Sequence, residues 1–578
     1  MDNSIISIEL KSLKYPFSEK PILQDINLKI NNGEFVAILG PTGAGKSSLL
    51  RLLNGVIPHY IDATLEGDVI VAGMNTKDHE VYELAQHVGL IFEDPEVQTV
   101  AFTVREDVAF GPSCLGLPRK EILNRVKFAL KATRLLGYED RAPSTLSGGE
   151  LQSLAIAGVL SLMPEILVAD EPTSMLDPLG TDQIFSILRD LNKKGKTIII
   201  STQKIEKVVQ CATRVVLMKR GEILSDGPPR KVLADADLVE KVGIRRPDIM
   251  ELTYKLHKKY HLPDPKPLNL QECYSFIRKL FKEKVLHVKT LVRNVEVISR
   301  ERKNPIIIVK NLHHVYPGGV HALRGVNIMI NEGEFVAIIG QNGSGKTTFA
   351  KHLVGLLKPT NQDAKIIVNG SDVTSAPMDE IIRHVGYVFQ NPDKQLFSET
   401  VYEECMYGLR NMNIPEDVAK KRIDEYLRIL QLEDVKEEYP LLLDKGRRAR
   451  VAMASILVME PKIIIVDEPT TGQDYQESIY LMNVLKKLNE EKGLTILFIT
   501  HEIPLVARYA ERVIVFHEGR VLLDGDPRYV FSRTEILRRT YVCPPQITTL
   551  AQMLEQYGVP RNILSVEDFL GFLEVTKT

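Results

Sequence analysis

The sequence predicts an α/β fold written twice in one chain: two copies of a parallel-sheet domain, each with a helical subdomain and a small C-terminal helical extension. Three observations predict it. The segment Asn31–Ser48 (NNGEFVAILGPTGAGKSS) returns as Asn331–Thr348 (NEGEFVAIIGQNGSGKTT). In both copies a glycine-rich loop lies between an apolar strand-like run and an apolar helix-like run. Short, almost continuously apolar segments, EILVAD and TIIIST among them, read as strands buried on both faces, as in a parallel sheet. Repeats at a near-constant offset mean two copies of one domain, not scattered motifs.

Taken in order, EFVAILG is a strand, the glycine loop follows, and SSLLRLLNG is the helix it enters. VGLIFEDPEVQ (Val88–Gln98) returns as VGYVFQNPDKQ (Val385–Gln395). Between Phe102 and Leu160 the pattern changes to a helical period, as in EILNRVKFALKATRLLG, so a helical subdomain is inserted there. ILVADEPTSMLD (Ile166–Asp177) returns as IIVDEPTTGQD (Ile464–Asp474). The repeat continues to GIRRPDIMELTYKL (Gly243–Leu256), matched by YVCPPQITTLAQML (Tyr541–Leu554). Helix starts follow in capping-box spacing, Asn269 with Glu272 and Ser565 with Asp568. The expected organisation is a first domain over 1–230, its extension over 231–292, a charged linker over 293–305, a second domain over 306–530 and its extension over 531–578. The linker's basic residues read as a solvated connector.

Composition limits the function classes. The 578 residues carry 73 Lys and Arg against 75 Asp and Glu, a net charge of −2, so the whole-chain charge gives no sign of nucleic-acid binding. Hydrophobic residues at 44% and charged residues at 26% fit a globular protein and exclude disorder. No apolar run approaches the roughly 18 residues that span a bilayer, and the amino terminus lacks the pattern of a secretory signal. The five cysteines are widely spaced, with no CxxC pair, and read as thiols of a reducing compartment.

GPTGAGKS (Gly40–Ser47) and GQNGSGKT (Gly340–Thr347) both fit GxxxxGK[ST]. In such a loop the backbone N–H groups turn toward phosphate oxygens, and the following helix presents its positive end. Candidate nucleotide-binding residues are therefore Gly40, Thr42, Gly43, Ala44, Gly45, Lys46, Ser47 and Ser48, with Gly340, Asn342, Gly343, Ser344, Gly345, Lys346, Thr347 and Thr348 in the second copy. Lys46 and Lys346 would reach the β- and γ-phosphates, and Ser47 and Thr347 would hold Mg2+. Asp170 and Asp467 end apolar strands, at the sheet edge where ligands bind, and are the other magnesium candidates. Glu171 and Glu468 follow them, each able to polarise an attacking water.

The order of P-loop, Gln390, LSGG, strand-Asp-Glu and His501 resembles the ATP-binding cassette (ABC) ATPases over almost the whole chain. The resemblance implies two tandem P-loop ABC nucleotide-binding domains, each a RecA-like core with a helical subdomain, with ATP and Mg2+ as ligands. It implies that the halves pair head to tail, each ATP lying between one P-loop and the other half's signature. LSGGE supplies Ser147, Gly148, Gly149 and Glu150 to such a site. Lys346, Gln390, Glu468 and His501 are the implied catalytic residues, with Gln390 also a magnesium ligand. Tyr15 and Tyr316 match the aromatic that stacks on adenine, a purely structural tyrosine being the alternative.

The departures from that pattern fall on one side. Glu93 stands where Gln390 does, and Gln203 where His501 does. The second signature position reads LDKGR, with Asp444 in place of Ser147, Lys445 in place of Gly148, and Arg447 nearby. Under head-to-tail pairing, the first P-loop with Glu171 and the second signature form one composite site, which collects all of these changes. The other is intact. Asp444 is expected to direct a carboxylate toward phosphate, a repulsion that Lys445 and Arg447 would offset in part.

FQNPDKQLF, TVREDVAFG and the proline-led helical tail resemble the energy-coupling factor (ECF) and cobalt-type importer ATPases. That resemblance implies two partners, an integral membrane coupling subunit and a small substrate-binding membrane subunit, with no nucleic acid. It places the chain at the cytoplasmic face of the cell membrane and gives it the role of an ATP-hydrolysing motor. A tandem ATPase of another importer, for a sugar for example, and a soluble ABC protein of translation or DNA repair are the alternatives.

Overall fold

The computed structural model describes residues 4–16, 18–289, 304–470 and 473–576. The chain divides into two compact units, Met1–Phe276 and Ile277–Thr578.

In the first unit, a six-stranded sheet runs in the spatial order Glu222–Gly227, Arg214–Lys219, Phe35–Leu39, Thr197–Ser201, Ile166–Asp170, Val88–Ile91. All neighbours are parallel except the Arg214–Lys219/Glu222–Gly227 hairpin. Phe35–Leu39 and Ile166–Asp170 are buried at every position, which explains why they show no alternation of apolar and polar residues. A four-stranded antiparallel sheet, Leu23–Asn31, Ser4–Lys14, Thr64–Val71 and Met74–Asn75, lies beside it in the chain. Ile6, Ile8 and Leu10 of this sheet share one apolar cluster with Val36, Ile38, Leu49 and Leu50 of the phosphate-loop strand and helix. The helical subdomain comprises Val104–Cys114, Arg119–Ala132 and Gly148–Ser161.

The second unit repeats this plan. Its six-stranded sheet runs Val385–Val388, Ile463–Asp467, Thr495–Ile499, Phe335–Gly340, Arg512–His517, Arg520–Gly525. Because the central strands are parallel, their carboxyl ends share one edge. The glycine loop after Gly340, the pair Asp467–Glu468 and the segment Thr500–His501 all leave from that edge.

Both predicted helix starts are capped. Glu272 N donates to Asn269 Oδ1 at 2.9 Å, and Asp568 N donates to Ser565 Oγ at 3.0 Å. The extensions also carry strands too short to leave a sequence period. Leu286–Val288 pairs antiparallel with Leu573–Val575, and the Phe281 ring stacks on Tyr557 at 5.2 Å, all within the second unit. Most of the expected linker, 293–303, lies outside the described residues.

Candidate functional site

Each P-loop turns into its helix through a left-handed glycine, Gly45 at φ +93° and Gly345 at φ +102°. A Cβ at Gly345 would lie 2.5 Å from the Ala322 carbonyl oxygen, so the turn excludes other residues. The lysines that follow bridge their own loops. Lys46 Nζ donates to the Gly40 and Pro41 carbonyls at 2.8 and 2.9 Å, and Lys346 Nζ to those of Gly340 and Gln341 at 2.8 Å each. The ammonium groups are thus held over the loop mouth. Tyr15 and Tyr316 are anchored beside the loops through their hydroxyls, to Ser48 Oγ at 2.9 Å and Thr348 Oγ1 at 3.2 Å.

In the second half Glu468 belongs to a connected polar group. Glu468 sits at φ +50°, a left-handed conformation for a non-glycine residue, immediately after its strand. Its Oε1 lies 2.8 Å from His501 Nε2, and its Oε2 accepts from Gln390 Nε2 at 3.3 Å. His501 Nε2 is also 2.9 Å from Asn342 Oδ1 of the P-loop. The structure therefore brings together four of the sequence-predicted residues, Gln390, Glu468, His501 and Asn342. A carboxylate so held can orient a water and accept its proton.

Asp467 is 2% exposed. Its Oδ2 accepts from the Tyr387 hydroxyl at 2.8 Å, while its buried Oδ1 has no hydrogen-bond partner among the described residues. Burial pushes this carboxyl up, and the Thr347 and Tyr387 hydroxyls pull it down. A buried acceptor with no donor, near the Thr347 hydroxyl, is a donor set that suits a hard divalent cation such as Mg2+.

The first half uses the same backbone with different partners. Asp170 Oδ1 accepts from Ser201 Oγ at 2.6 Å, and Ser201 Oγ also accepts Glu171 N–H at 2.9 Å. Glu171, at φ +43°, is partly buried, and its enclosed Oε1 lacks a partner among the described residues. Burial pushes its carboxyl up to about 7; Lys46 opposes this, and Asp170 and Glu93 add to it. Glu93 thus disfavours the ionised carboxylate, where Gln390 supplies a hydrogen bond to Glu468 in the other half.

Burial of the Glu171 carboxyl makes stability depend on pH. With a folded pKa near 7 against 4.5 unfolded, the native state holds the proton more tightly between those values. Stability therefore falls as pH rises from about 4.5 to about 7, by about 3 kcal/mol in total. Glu171→Gln is expected to remove that slope, so nucleotide-free thermal melts of the variant should exceed the parent's at pH 8 and match them near pH 5. Parallel melting profiles across this range would contradict the burial argument.

The signatures sit at helix starts. Ser147 caps Gly148–Ser161 in a full capping box: Ser147 Oγ accepts Glu150 N–H at 3.4 Å, and Glu150 Oε2 accepts Ser147 N–H at 2.8 Å. Asp444 caps Lys445–Leu457, its Oδ1 accepting Arg447 N–H at 2.9 Å and its Oδ2 lying 3.6 Å from Arg447 Nε. Asp444 thus occupies the N-cap position that Ser147 holds in the first half. The carboxylate turns onto its own helix end, because the unpaired N–H groups and Arg447 attract it. Lys445 lines a small cavity together with Gln390 and Glu468.

Two residues in these sites escape motif reading: Tyr387 and Ser201. The exchange across the repeat, Leu90 for Tyr387 and Ser201 for Ile499, is the signal that carries them.

Two P-loops, each on a parallel sheet and each backed by a strand-end Asp-Glu pair, define a tandem P-loop ATPase. The ABC transporter family model matches residues 23–174 and again residues 323–471. The chain belongs to the ABC transporter family, and it is an ATP-binding, ATP-hydrolysing protein of that family. It is 41% identical to a provisionally named ABC transporter ATP-binding protein of Caldanaerobacter subterraneus subsp. tengcongensis, over 98% of each chain. A similarly named protein of Methanosarcina mazei is 38% identical, covering 99% of this chain and 97% of its own. Among solved structures, cbiO1 of Clostridium perfringens, described as part of the ABC transporter complex cbiONQ, is 38% identical. It covers 43% of this chain and 100% of its own, with a TM-score of 0.38.

Proposed function

We propose that this chain is the ATP-hydrolysing motor of a membrane importer of the energy-coupling factor type, carrying a vitamin, a vitamin precursor or a metal ion. In this reading the halves work as a head-to-tail pair at the cytoplasmic face of the membrane. Turnover occurs mainly where the second P-loop works with the first signature. The other composite site, with Glu93, Gln203, Glu171, Asp444, Lys445 and Arg447, binds nucleotide and turns it over slowly or not at all.

One observation carries the asymmetry: both oxygens of Glu468 are engaged, by His501 and Gln390, whereas Glu171 Oε1 is buried without a partner. In the active site Lys346 and the P-loop amides bind the phosphates. Gln390 and His501 fix the Glu468 carboxylate, which orients the water and takes its proton. Ser147, Gly148 and Gly149 would close over the γ-phosphate from the other half. Thr347, Asp467 and Gln390, and in the other site Ser47 and Asp170, would hold Mg2+, which supplies charge neutralisation on the phosphate oxygens.

The membrane partner is supported by apolar side chains exposed near the loop that bears Glu93 or Gln390. Phe102 is 90% exposed, with Val97 and Val100 nearby in sequence, and Phe397, 61% exposed, packs edge-on against Tyr407 at 4.8 Å. Such apolar exposure is costly unless something covers it. Among the described residues no helix is long and apolar enough to cross a membrane, so the transport path is assigned to other chains. Affinity purification from detergent-solubilised membranes is the test. Co-purification of an integral membrane protein is expected, reduced at least fivefold by Phe102→Ser with Phe397→Ser. Ribosome association in place of a membrane partner would contradict the proposal.

A further inference from the structure

The halves hold their strand-end aspartates from opposite sides. In the second half the donor is Tyr387, on the strand Val385–Val388 that precedes Gln390; its hydroxyl meets Asp467 Oδ2 at 2.8 Å. In the first half that position is Leu90, and the donor is Ser201, the register partner of Asp170 on the other flanking strand. The corresponding partner of Asp467 is Ile499, which has nothing to donate. Of these two flanking-strand positions, each half thus keeps a hydroxyl at one and an aliphatic side chain at the other.

We propose that Tyr387 and Ser201 are positioning residues for the reaction, each fixing the rotamer of the aspartate that faces the metal–nucleotide complex. This rests on the reading of Asp467 and Asp170 as magnesium ligands, and the chain carries two alternative solutions to one task. Tying up Oδ2 leaves Asp467 Oδ1, buried and without a hydrogen-bond partner among the described residues, as the oxygen directed to the cation. Outer partners of this kind orient a ligand as well as satisfy it. Tyr387 is itself fixed, packing edge-on against Phe389 at 4.9 Å and 86°, and Phe389 is the residue before Gln390. The aspartate's orientation is therefore tied in the second half to the glutamine loop. In the first half it is tied to the backbone of Glu171, through the Ser201 oxygen that accepts its N–H.

The exchange supplies its own test. In the full-length chain carrying Lys46→Ala, which confines tight nucleotide binding to the second P-loop, Mn2+ affinity in the presence of ADP is read from loss of the free-ion electron paramagnetic resonance signal. Tyr387→Phe keeps the ring packing and is expected to weaken Mn2+ binding about tenfold. It is also expected to raise the Mg2+ concentration needed for half-maximal ATP turnover by a similar factor. Adding Ile499→Thr, which places a hydroxyl where the first half has Ser201, should recover at least threefold of that loss. Thermal melts of both variants report folding. Mn2+ binding by Tyr387→Phe within twofold of its background would overturn the proposal. So would a loss that Ile499→Thr leaves unchanged in a double variant that melts with the single one, since the effect would then belong to packing. Failure of the magnesium reading itself is distinguishable: Asp467→Asn would then leave Mn2+ affinity intact.

Discussion

Glu468→Gln is expected to lower steady-state ATP turnover by about 10²- to 10³-fold, while Glu171→Gln lowers it no more than about threefold. The difference follows from the surroundings of the two carboxyls. Glu468 is held through both oxygens, by His501 at 2.8 Å and by Gln390 at 3.3 Å, and in the proposed mechanism it takes the proton from water. Glu171 has an enclosed Oε1 without a partner among the described residues and a carboxyl pushed up to about 7, so near neutral pH much of it already carries a proton. Replacing a partly protonated carboxyl by an amide of the same shape removes little basicity. The same comparison made at pH 6 should leave the Glu171→Gln ratio still closer to one, because more of the parent's Glu171 is then neutral. Turnover measured with both single variants, at saturating ATP and Mg2+, checks the assignment. Comparable losses in the two would remove the asymmetry.

Lys346→Ala is expected to cost at least about 10²-fold in turnover, more than Lys46→Ala. Both ammonium groups bridge two carbonyls at the mouth of their loops, so each is pre-placed to accompany charge on a phosphate. The removal of such a preorganised charge costs the transition state most where the chemistry occurs. At the first P-loop the loss should appear mainly as weaker nucleotide binding, read by fluorescent ATP titration, with a smaller reduction in turnover. A Lys346→Ala chain that retains more activity than Lys46→Ala would reverse the two sites.

Much of the fold is legible because its signals are local. Phe335–Gly340 and Ile463–Asp467 are apolar throughout since both faces of the sheet are covered, and the glycines at 45 and 345 record a backbone conformation that other residues avoid. The caps at Asn269 and Ser565 follow from spacing alone. The rest depends on register or on competition between partners. Tyr387 reaches Asp467 across neighbouring strands 80 positions apart in sequence, and no motif spans that separation. The pairing of Leu286–Val288 with Leu573–Val575 involves three residues from each side, too few to show alternation. For Asp444 the sequence shows the charge but not its direction. Its contacts with Arg447, through the backbone N–H and the guanidinium of its own helix, depend on local geometry that composition does not show.

The central claim is that one of two nucleotide sites does the hydrolysis, and the nucleotide content of the chain during turnover tests it most directly. The full chain is incubated with α-labelled ATP and Mg2+, separated rapidly from free nucleotide, and the bound species are counted. One intact ATP and one ADP per chain are predicted, with Glu468→Gln converting the content to two ATP and Glu171→Gln leaving it unchanged. Two ADP per chain in the parent would contradict the account, because both nucleotide sites would then have turned over.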